Sequence, residues 1–335
     1  MFWSKKKKVL RTGLPSYVDS GIGLPVFRGP YLQQDTEMAV LFFHADADQL
    51  AALCDRYLTA PSEGQTKYVP LLPQVAVVLA EMQATSGDER DRQVGRLPET
   101  EVSFWILTLA MKKVGGVFVP DHLAWFLPFL FVDESNVIAT GREVYGFNKQ
   151  AGQIQKPAAI QRPEFSLDVL GVREFKLEAT GKLERLLDMR QVDRAVGEEP
   201  SGMWHSWENA RTAITPEILK ILAADAKNKA AEIATLLVTH QMRLVFLKQF
   251  RDVVNTQQAC YQAIVEAPLM VQTFRQGGFL TGKFAMSVNR LDSHPLAEAL
   301  GLRLENGEQQ SALGLWMKLD FMLGEGIEIW KARTE

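Results

Sequence analysis

Cysteine and histidine are scarce in this sequence, and their scarcity excludes several kinds of site. The chain has two cysteines, Cys54 and Cys260, so it cannot contain a disulfide framework, and neither lies in a Cys-x-x-Cys pair. Its five histidines are scattered singly, with no His-Glu-x-x-His motif and no close cluster with cysteine. We therefore predict no metal site and a reducing, cytoplasmic location.

The chain also lacks an excess of positive charge and a long apolar run. Lys and Arg number 37 against 40 Asp and Glu, a formal net charge of −3, which argues against a nucleic-acid-binding protein. The run 117–132 contains two prolines, an aspartate and a histidine and is too short for a membrane-spanning helix, so it predicts buried strands. After the lysines at 5–8, Arg11, Thr12, Gly13 and Pro15 come where a secretory signal would have an apolar stretch. We predict no nucleic-acid partner and no membrane partner.

The common nucleotide-binding and hydrolase motifs are missing as well. No Gly-x-Gly-x-x-Gly follows a predicted strand, no Walker lysine loop occurs, and no Gly-x-Ser-x-Gly elbow is present. The chemistry must therefore come from residues outside these motifs.

The first half of the chain has the pattern of consecutive short strands. Gly115-Gly116 lies between two apolar segments and predicts a hairpin, while 46–57 has helical spacing and the polar stretch 85–99 is predicted to be an exposed loop. The predicted strands are 38–43, 69–82, 102–111, 117–119, 125–132 and 137–147, with a turn at 133–136. Short strands joined by tight turns are typical of a strongly curved antiparallel sheet or barrel.

The second half contains a helical signal. Thr215 suits an N-cap, Pro216 the first helical position, and apolar residues then recur at helical spacing up to His240, which predicts one amphipathic helix. Strand-like composition resumes at 242–250 and 261–271, followed by a short helix at 297–300 that ends at Gly301. We predict an α+β fold in one domain over residues 1–335, with a helical insertion.

Lys149 is the residue with the most chemical interest. It ends an apolar segment with aromatic side chains, where burial would disfavour its charged form and lower its pKa. A neutral amine can attack a carbonyl and form a Schiff base. If 137–149 is a strand, Glu143, Tyr145, Phe147 and Lys149 share one face, and Arg142 lies on the other. From this pattern alone, a solvated lysine at a strand end remains an alternative.

Residues 141–149 read Gly-Arg-Glu-Val-Tyr-Gly-Phe-Asn-Lys and resemble the active-site strand of the acetoacetate decarboxylase family. That family has Gly-Arg-Glu, a few apolar or aromatic residues and then Pro-Lys-Lys or Pro-Lys-Gln. Two other segments agree in order and spacing: 28–31 resembles the family's Arg-Gly-Pro-Tyr opening, and 289–296 its proline-centred segment before the last short helix. The match covers residues 22–170 and 242–303.

The resemblance implies a fold and a mechanism. The fold is a mainly antiparallel, cone-like β-barrel or curved sheet with flanking helices, assembled as a homo-oligomer, and here it would carry residues 175–240 as a helical insertion. Lys149 occupies the position of the family's Schiff-base lysine, which works without metal or organic cofactor. Asp121 is the nearest candidate for the family's active-site glutamate, and Glu143 is a candidate pocket acid. The candidate substrate-binding residues are Arg28, Arg142, Tyr145 and Phe147.

Several positions depart from the family pattern. The family's proline before the lysine is Asn148 here, its second lysine is Gln150, and its active-site arginine corresponds to Thr36. These departures indicate that substrate recognition has changed. The leading hypothesis is a carbon–carbon lyase that decarboxylates a small or medium β-keto acid through an imine on Lys149. The alternatives are an aldolase or dehydratase that uses the same imine, and a non-catalytic ligand-binding protein on the same scaffold.

Overall fold

The computed structural model describes residues 13–18, 28–93, 95–193, 203–222, 227–239 and 241–333. The strands are β1 (Tyr31–His44), β2 (Lys67–Pro70), β3 (Gln74–Ser86), β4 (Leu97–Val114), β5 (Val117–Val132), β6 (Lys149–Ala151), β7 (Gln153–Gln155), β8 (Phe165–Gly171), β9 (Lys182–Gln191), β10 (Arg243–Arg251), β11 (Ala259–Phe279), β12 (Phe284–Val288), β13 (Glu308–Gln310), β14 (Leu313–Leu323) and β15 (Ile327–Lys331). The α-helices are α1 (Ala47–Cys54), α2 (Glu89–Arg92), α3 (Ser135–Val144), α4 (Trp207–Lys220), α5 (Ala230–Thr239) and α6 (Leu296–Leu300). None of these helices is both long and apolar enough to cross a membrane.

The strands form one large sheet and one smaller sheet. The large sheet has the order β2-β4-β3-β1-β14-β11-β10-β5-β6, with β15 on β11, and β4 pairs in addition with β5. Because β4 and β5 stand far apart in this order and yet pair with each other, the large sheet curves round on itself. The smaller sheet has the order β13-β12-β9-β8-β7. The prediction of an α+β fold built on a strongly curved sheet is confirmed.

The large sheet is mixed, which corrects the prediction of a mainly antiparallel one. Strand β5 is antiparallel to β4, as the hairpin at Gly115-Gly116 requires, and both glycines have a positive φ. Strand β5 is also parallel to β10 and to β6. The parallel pair with β6 arises because helix α3 carries the chain from the end of β5 back to the start of β6.

Residues 137–147, predicted as a strand, mostly form helix α3, so that prediction is wrong. The Glu134 carboxylate caps the helix by accepting a hydrogen bond from a backbone N–H of the first turn. The buried residues of the helix are Val137, Thr140 and Gly141, which have the spacing of one helix face. The β-branched and aromatic residues of this stretch favour a strand locally, and the cap and the buried face outweigh that preference.

The helix predicted from Thr215 to His240 is instead two helices. Helix α4 begins before Thr215, where the Ser206 hydroxyl accepts a hydrogen bond from the Asn209 backbone N–H at 3.1 Å, and Pro216 lies inside it. Helix α5 is the second, and His240 lies outside the described residues. The segment predicted as a helical insertion also contains a strand, β9, which pairs with β8 and β12 in the smaller sheet.

Helices α4 and α5 pack on one face of the large sheet. Met38 and Phe42 of β1 belong to the same apolar cluster as Ile218 of α4, whereas Phe43 belongs to the cluster on the other face. This division follows from the two-residue period of a strand. The two helices are joined by the Arg211 guanidinium, which donates hydrogen bonds to a backbone carbonyl of α5 at 2.7 and 3.1 Å.

Candidate active site

A cavity of about 70 Å³ opens between β4, α3, β6 and the neighbouring strands β1 and β3. Most of the residues that line it are apolar, among them Met38, Leu97, Leu127 and Leu323. Its charged side chains are Lys149, Glu99 and Glu101. A cavity of this volume has room for several water molecules or a small organic acid.

Lys149 lines this cavity and is 7% exposed. It is the first residue of β6, and its Nζ lies 2.6 Å from Oε1 of Glu99, a carboxylate whose side chain is 1% exposed. The Nζ also lies 5.3 Å from the centroid of the Phe147 ring. A buried ion pair of this geometry compensates part of the desolvation of both charges.

Helix α3 packs directly against the stem of Lys149 because it has a glycine at the contact point. A Cβ atom at Gly141 would lie 3.0 Å from both Cδ and Cε of Lys149. The Gly141 carbonyl accepts hydrogen bonds from the backbone N–H groups of Tyr145, Gly146 and Phe147, which end the helix and turn the chain towards β6. The close approach of helix and lysine therefore depends on the absence of a side chain at position 141.

Glu99 and Glu101 project from one face of β4 because they are two residues apart in a strand. Both are buried, and Oε2 of Glu99 has no hydrogen-bond partner among the described residues. A buried carboxylate oxygen without a donor is unfavourable for folding. This oxygen is free to accept a hydrogen bond from a bound molecule.

Burial raises the pKa of Glu101 to about 7, and the negative charge of Glu99 contributes to the rise. The charge of Lys149 and a hydrogen bond from Ser103 oppose this shift without cancelling it. The Ser103 hydroxyl donates to Oε1 of Glu101 at 2.8 Å and accepts a hydrogen bond from Nε1 of Trp105 at 2.7 Å. Glu101 can therefore gain or lose a proton near neutral pH, as a general acid or base must.

Aromatic side chains form one wall of the cavity. The Tyr145 ring packs edge-on against Tyr31 and Phe147, with centroid distances of 5.6 and 5.9 Å. The Tyr145 hydroxyl donates a hydrogen bond to the Gly324 carbonyl at 2.7 Å, and burial raises the pKa of both phenols above the ordinary value. These two tyrosines stay neutral and supply a rigid surface rather than acid–base groups.

The structure brings Lys149, Tyr145 and Phe147 together, and it places the other sequence candidates elsewhere. Glu143 does not line the cavity, although its charge adds to the effect of burial on the pKa of Tyr31. Arg142 is exposed and donates a hydrogen bond to the backbone carbonyl of Lys149 at 3.3 Å. This contact supports the backbone of β6.

Asp121 and Arg28 also lie outside the cavity lining. Asp121 contacts Nδ1 of His122 at 2.7 Å and Nζ of Lys112 at 3.0 Å. Arg28 is exposed and forms an ion pair with Asp91 on α2. Both side chains are thus engaged away from Lys149.

The two acids of the cavity, Glu99 and Glu101, were not among the site residues predicted from the sequence. The stretch 85–99 was predicted to be an exposed loop, and the following strand was predicted to begin at residue 102, whereas β4 begins at Leu97. A signal for them exists, because Glu99, Glu101, Ser103 and Trp105 alternate with apolar or β-branched residues. Extending the strand backwards would have placed both acids on the face of Trp105. Two glutamates separated by one residue at the start of a strand are more typical of a solvent-exposed end, which is why the pattern favoured a loop.

The arrangement suits nucleophilic and acid–base chemistry on a small carbonyl compound. It combines a buried amine, a buried carboxylate with a free oxygen, and a second carboxyl group that titrates near neutrality. Among the described residues no group of three or more His, Cys, Asp or Glu is placed to hold a metal ion.

No family model and no curated protein matches this chain. Solved structures do match it along nearly the whole length. Acetoacetate decarboxylase from Legionella pneumophila superposes with a TM-score of 0.58 at 14% identity, over 96% of this chain and 94% of that one. An acetoacetate decarboxylase-like enzyme from Sphingomonas wittichii superposes with a TM-score of 0.52 at 12% identity, over 92% of this chain and 96% of that one.

A third similar structure is the enduracididine biosynthesis enzyme MppR in complex with the condensation product of pyruvate and imidazole 4-carboxaldehyde. Its TM-score is 0.53 at 14% identity, over 94% of this chain and 98% of that one. At identities this low, the superpositions establish similarity of fold alone. The resemblance drawn from three sequence motifs is confirmed at that level, and this chain has the acetoacetate decarboxylase-like fold.

Proposed function

We propose that this protein is a Schiff-base lyase that decarboxylates a β-keto acid through an imine on Lys149. The observation that carries the proposal is the buried Lys149 amine in an apolar cavity, 2.6 Å from a buried carboxylate of Glu99. Its position in the motif that resembles the family's active-site strand supports the same role. The ring of paired strands around the site is consistent with the cone-like barrel that the resemblance implies.

The first step is formation of the imine. Glu99 takes one proton from the Lys149 ammonium, and the neutral amine attacks the ketone carbon of the substrate. As the carbon–nitrogen bond forms, a second proton moves from the amine to the ketone oxygen and gives a carbinolamine, whose hydroxyl then leaves as water with the proton that Glu99 returns. The product is a protonated imine on Lys149 and an ionised Glu99, so atoms and charges balance.

The second step is loss of carbon dioxide. The bond between the carboxylate and the adjacent carbon breaks, and its electron pair moves towards the imine nitrogen to give an enamine. The apolar lining favours this step because a carboxylate loses its charge as carbon dioxide forms. Glu101, whose pKa is raised to about 7, then donates a proton to the carbon, and hydrolysis releases the ketone.

Tyr145 and Phe147 would hold the apolar part of the substrate, since both line the cavity beside Lys149. We assign no step to Asp121, Glu143, Arg28 or Arg142, because their side chains lie outside the cavity lining. The homo-oligomeric state and the cytoplasmic location stay predictions of the sequence.

The experiment is a decarboxylation assay on acetoacetate and longer β-keto acids, with the uncatalysed rate subtracted. We expect carbon dioxide release by the wild-type protein and none above background by Lys149→Met. The matched control is Lys156→Met, an exposed lysine paired with Glu81, which should retain activity. Equal release by wild type and Lys149→Met would contradict the proposal.

Aldol-type condensation with loss of water, through the same imine, is the second candidate. One observation favours it: among the described residues that line the cavity, Lys149 is the one cation, and it faces two carboxylates. A β-keto acid brings a further negative charge beside Glu99 and Glu101, whereas an uncharged ketone or aldehyde donor bound as the imine does not. The bound condensation product in MppR makes this chemistry worth testing here. Product analysis distinguishes the two, because condensation retains the carbon that decarboxylation releases as carbon dioxide.

A non-catalytic ligand-binding protein on the same scaffold is the third hypothesis. It predicts that neither carbon dioxide nor a condensation product forms with any keto acid tested. It also predicts that keto acids bind reversibly without modifying Lys149.

A further inference from the structure

A second cavity, of about 150 Å³, lies between the large sheet and helices α4 and α5. We call it the tail cavity. Its lining includes Phe42, Val78 and Leu107 from the sheet and Ile218 and Leu237 from the helices. It is about twice as large as the cavity around Lys149, which has about 70 Å³.

The tail cavity is almost entirely apolar. Among the described residues that line it, the polar or charged side chains are Arg211, Thr215 and Gln241. Arg211 is already engaged, since its guanidinium donates hydrogen bonds to the Leu237 carbonyl. An apolar space of this size does not hold ordered water well and lowers the stability of the empty protein, so a hydrocarbon group is the occupant that suits it.

The tail cavity adjoins the Lys149 cavity. Both are lined by Met38, Trp105, Leu269 and Phe321, so these residues form the partition between them. Strand β4 runs past both, with Glu101 in the Lys149 cavity, Trp105 in the partition and Leu107 in the tail cavity. The Met38 side chain is unbranched and flexible, so the partition can open without movement of the backbone.

The partition is linked by hydrogen bonds to Glu101, the general acid of the proposed reaction. Nε1 of Trp105 donates to Ser103, whose hydroxyl donates to Glu101, at 2.7 and 2.8 Å. On its other side the Trp105 ring packs edge-on against Trp125, with a centroid distance of 5.7 Å. A substrate that extends past Trp105 would therefore have one end beside Lys149 and the two carboxylates and its other end in the apolar tail cavity.

We propose that the tail cavity binds the hydrocarbon chain of the substrate, so that the preferred substrate is a medium- or long-chain β-keto acid rather than acetoacetate. This inference rests on the proposed imine chemistry at Lys149 and adds the class of substrate. The keto group reaches Lys149, and the chain extends past Trp105 beneath α4 and α5. Each CH₂ group transferred into the cavity should improve kcat/KM by about fourfold.

The test is a chain-length series of acetoacetate, β-ketohexanoate, β-ketooctanoate and β-ketodecanoate. We expect kcat/KM for decarboxylation to rise along the series until the cavity is filled. A flat or falling series would overturn the inference. If no member of the series is turned over or forms an adduct with Lys149, the proposed function itself fails.

A pair of variants on α4 tests the location of the chain. Thr215 lines the tail cavity, and Thr212 lies on the exposed side of the same helix. Thr215→Phe should lower kcat/KM for β-ketodecanoate by about fifteenfold, the effect of excluding two CH₂ groups, and should lower kcat/KM for acetoacetate far less. Thr212→Phe should leave both unchanged. Equal effects of Thr215→Phe on short and long substrates would contradict the assignment.

Binding of decanoate, which has no keto group, provides a measurement independent of catalysis. Calorimetric titration should detect binding to the wild type and to Thr212→Phe, and weaker binding to Thr215→Phe. If the wild type binds no decanoate, or if Thr215→Phe binds it as tightly as the wild type, the tail cavity is not the binding site of the chain.

Discussion

The environment of the Lys149 amine is set by a few side chains at short range. Glu99 neutralises its charge at 2.6 Å, Gly141 leaves room for its stem, and Phe147 places a ring face beside Nζ. A substitution that adds or removes only a few atoms would break each of these contacts or make it too close. The proposed mechanism is therefore most directly tested by single conservative substitutions.

Gly141→Ala should impair catalysis without unfolding the protein. The new methyl group would lie 3.0 Å from Cδ and Cε of Lys149 and would push the lysine side chain away from its position. A misplacement of this kind lowers kcat by about tenfold to a hundredfold. The melting temperature should not fall, because alanine is favoured over glycine inside a helix by up to about 1 kcal/mol. Gly181→Ala is the control, since a Cβ there meets only ordinary contacts. Unchanged kcat in Gly141→Ala would show that the lysine position is not critical.

Glu101 should determine the alkaline limb of the pH–rate profile. Its pKa is raised to about 7 by burial and by the charge of Glu99, so the acid form needed to protonate carbon is lost above that pH. Glu101→Gln should remove this limb and lower kcat by about a hundredfold or more. Ser103→Ala should move the limb to higher pH, because the hydrogen bond from Ser103 lowers the pKa of Glu101. If the alkaline limb is unchanged in both variants, it reports the titration of a group other than Glu101.

At the scale of elements, strand β4 and helix α3 build the site from opposite sides. The alternation of β4 brings Glu99 and Glu101 to the face on which Trp105 also lies. Helix α3 and the turn at Gly146, which has a φ of 88°, then return the chain so that Lys149 begins β6 beside β5. A Cβ at Gly146 would lie 2.4 Å from Cα of Lys248, so glycine is required there.

Secondary structure is predicted correctly from the sequence where a residue pattern has a single physical explanation. The Gly115-Gly116 hairpin and the helix end at Gly301 are confirmed, because glycine adopts positive φ at little energetic expense. The pattern fails at 137–147, where β-branched and aromatic residues occur in a helix that is fixed by a cap and a buried face. The convergence of Glu99 and Lys149, 50 residues apart, depends on tertiary pairing that no local pattern contains.

A buried polar network outside the cavity joins several strands. The Glu266 carboxylate of β11 accepts hydrogen bonds from Tyr68 of β2 and Arg243 of β10, and it contacts Nε2 of His122 of β5 at 2.8 Å. Nδ1 of His122 contacts Asp121 at 2.7 Å. Burial alone would lower the pKa of His122, but the hydrogen bonds to Glu266 and Asp121 and the charge of Glu266 outweigh it and raise the pKa above 6.5.

The sign of this shift predicts how stability depends on pH. A raised pKa in the folded state means that the charged His122 stabilises the fold fully below pH 6.5, and that this contribution is lost as the pH rises through the folded-state pKa. The free energy of unfolding, measured by urea titration from about pH 6 to about pH 9, should therefore fall more steeply in the wild type than in His122→Gln. The comparison of the two proteins removes the contribution of Glu101, which titrates in an overlapping range. Parallel curves would contradict the prediction.

At the scale of the whole molecule, the fold places two cavities side by side. The curved sheet encloses the Lys149 cavity, and helices α4 and α5 cover the tail cavity on the sheet face next to it. The three motifs were sufficient to predict this fold at 12 to 15% identity to the solved structures. Two of them contain residues that line the Lys149 cavity, Tyr31 in the first and Tyr145, Phe147 and Lys149 in the second. The tail cavity could not be predicted from the sequence, because it depends on how α4 and α5 pack on the large sheet.

The central claim is that Lys149 forms an imine with a keto acid. It is tested most directly by incubating the protein with acetoacetate and the longer β-keto acids, reducing with borohydride and mapping adducts by mass spectrometry. The account predicts a reduced adduct on the peptide that contains Lys149, with no such adduct in Lys149→Arg. An unmodified Lys149 with every keto acid, at pH values up to about 9, would contradict it, as would an adduct confined to other lysines.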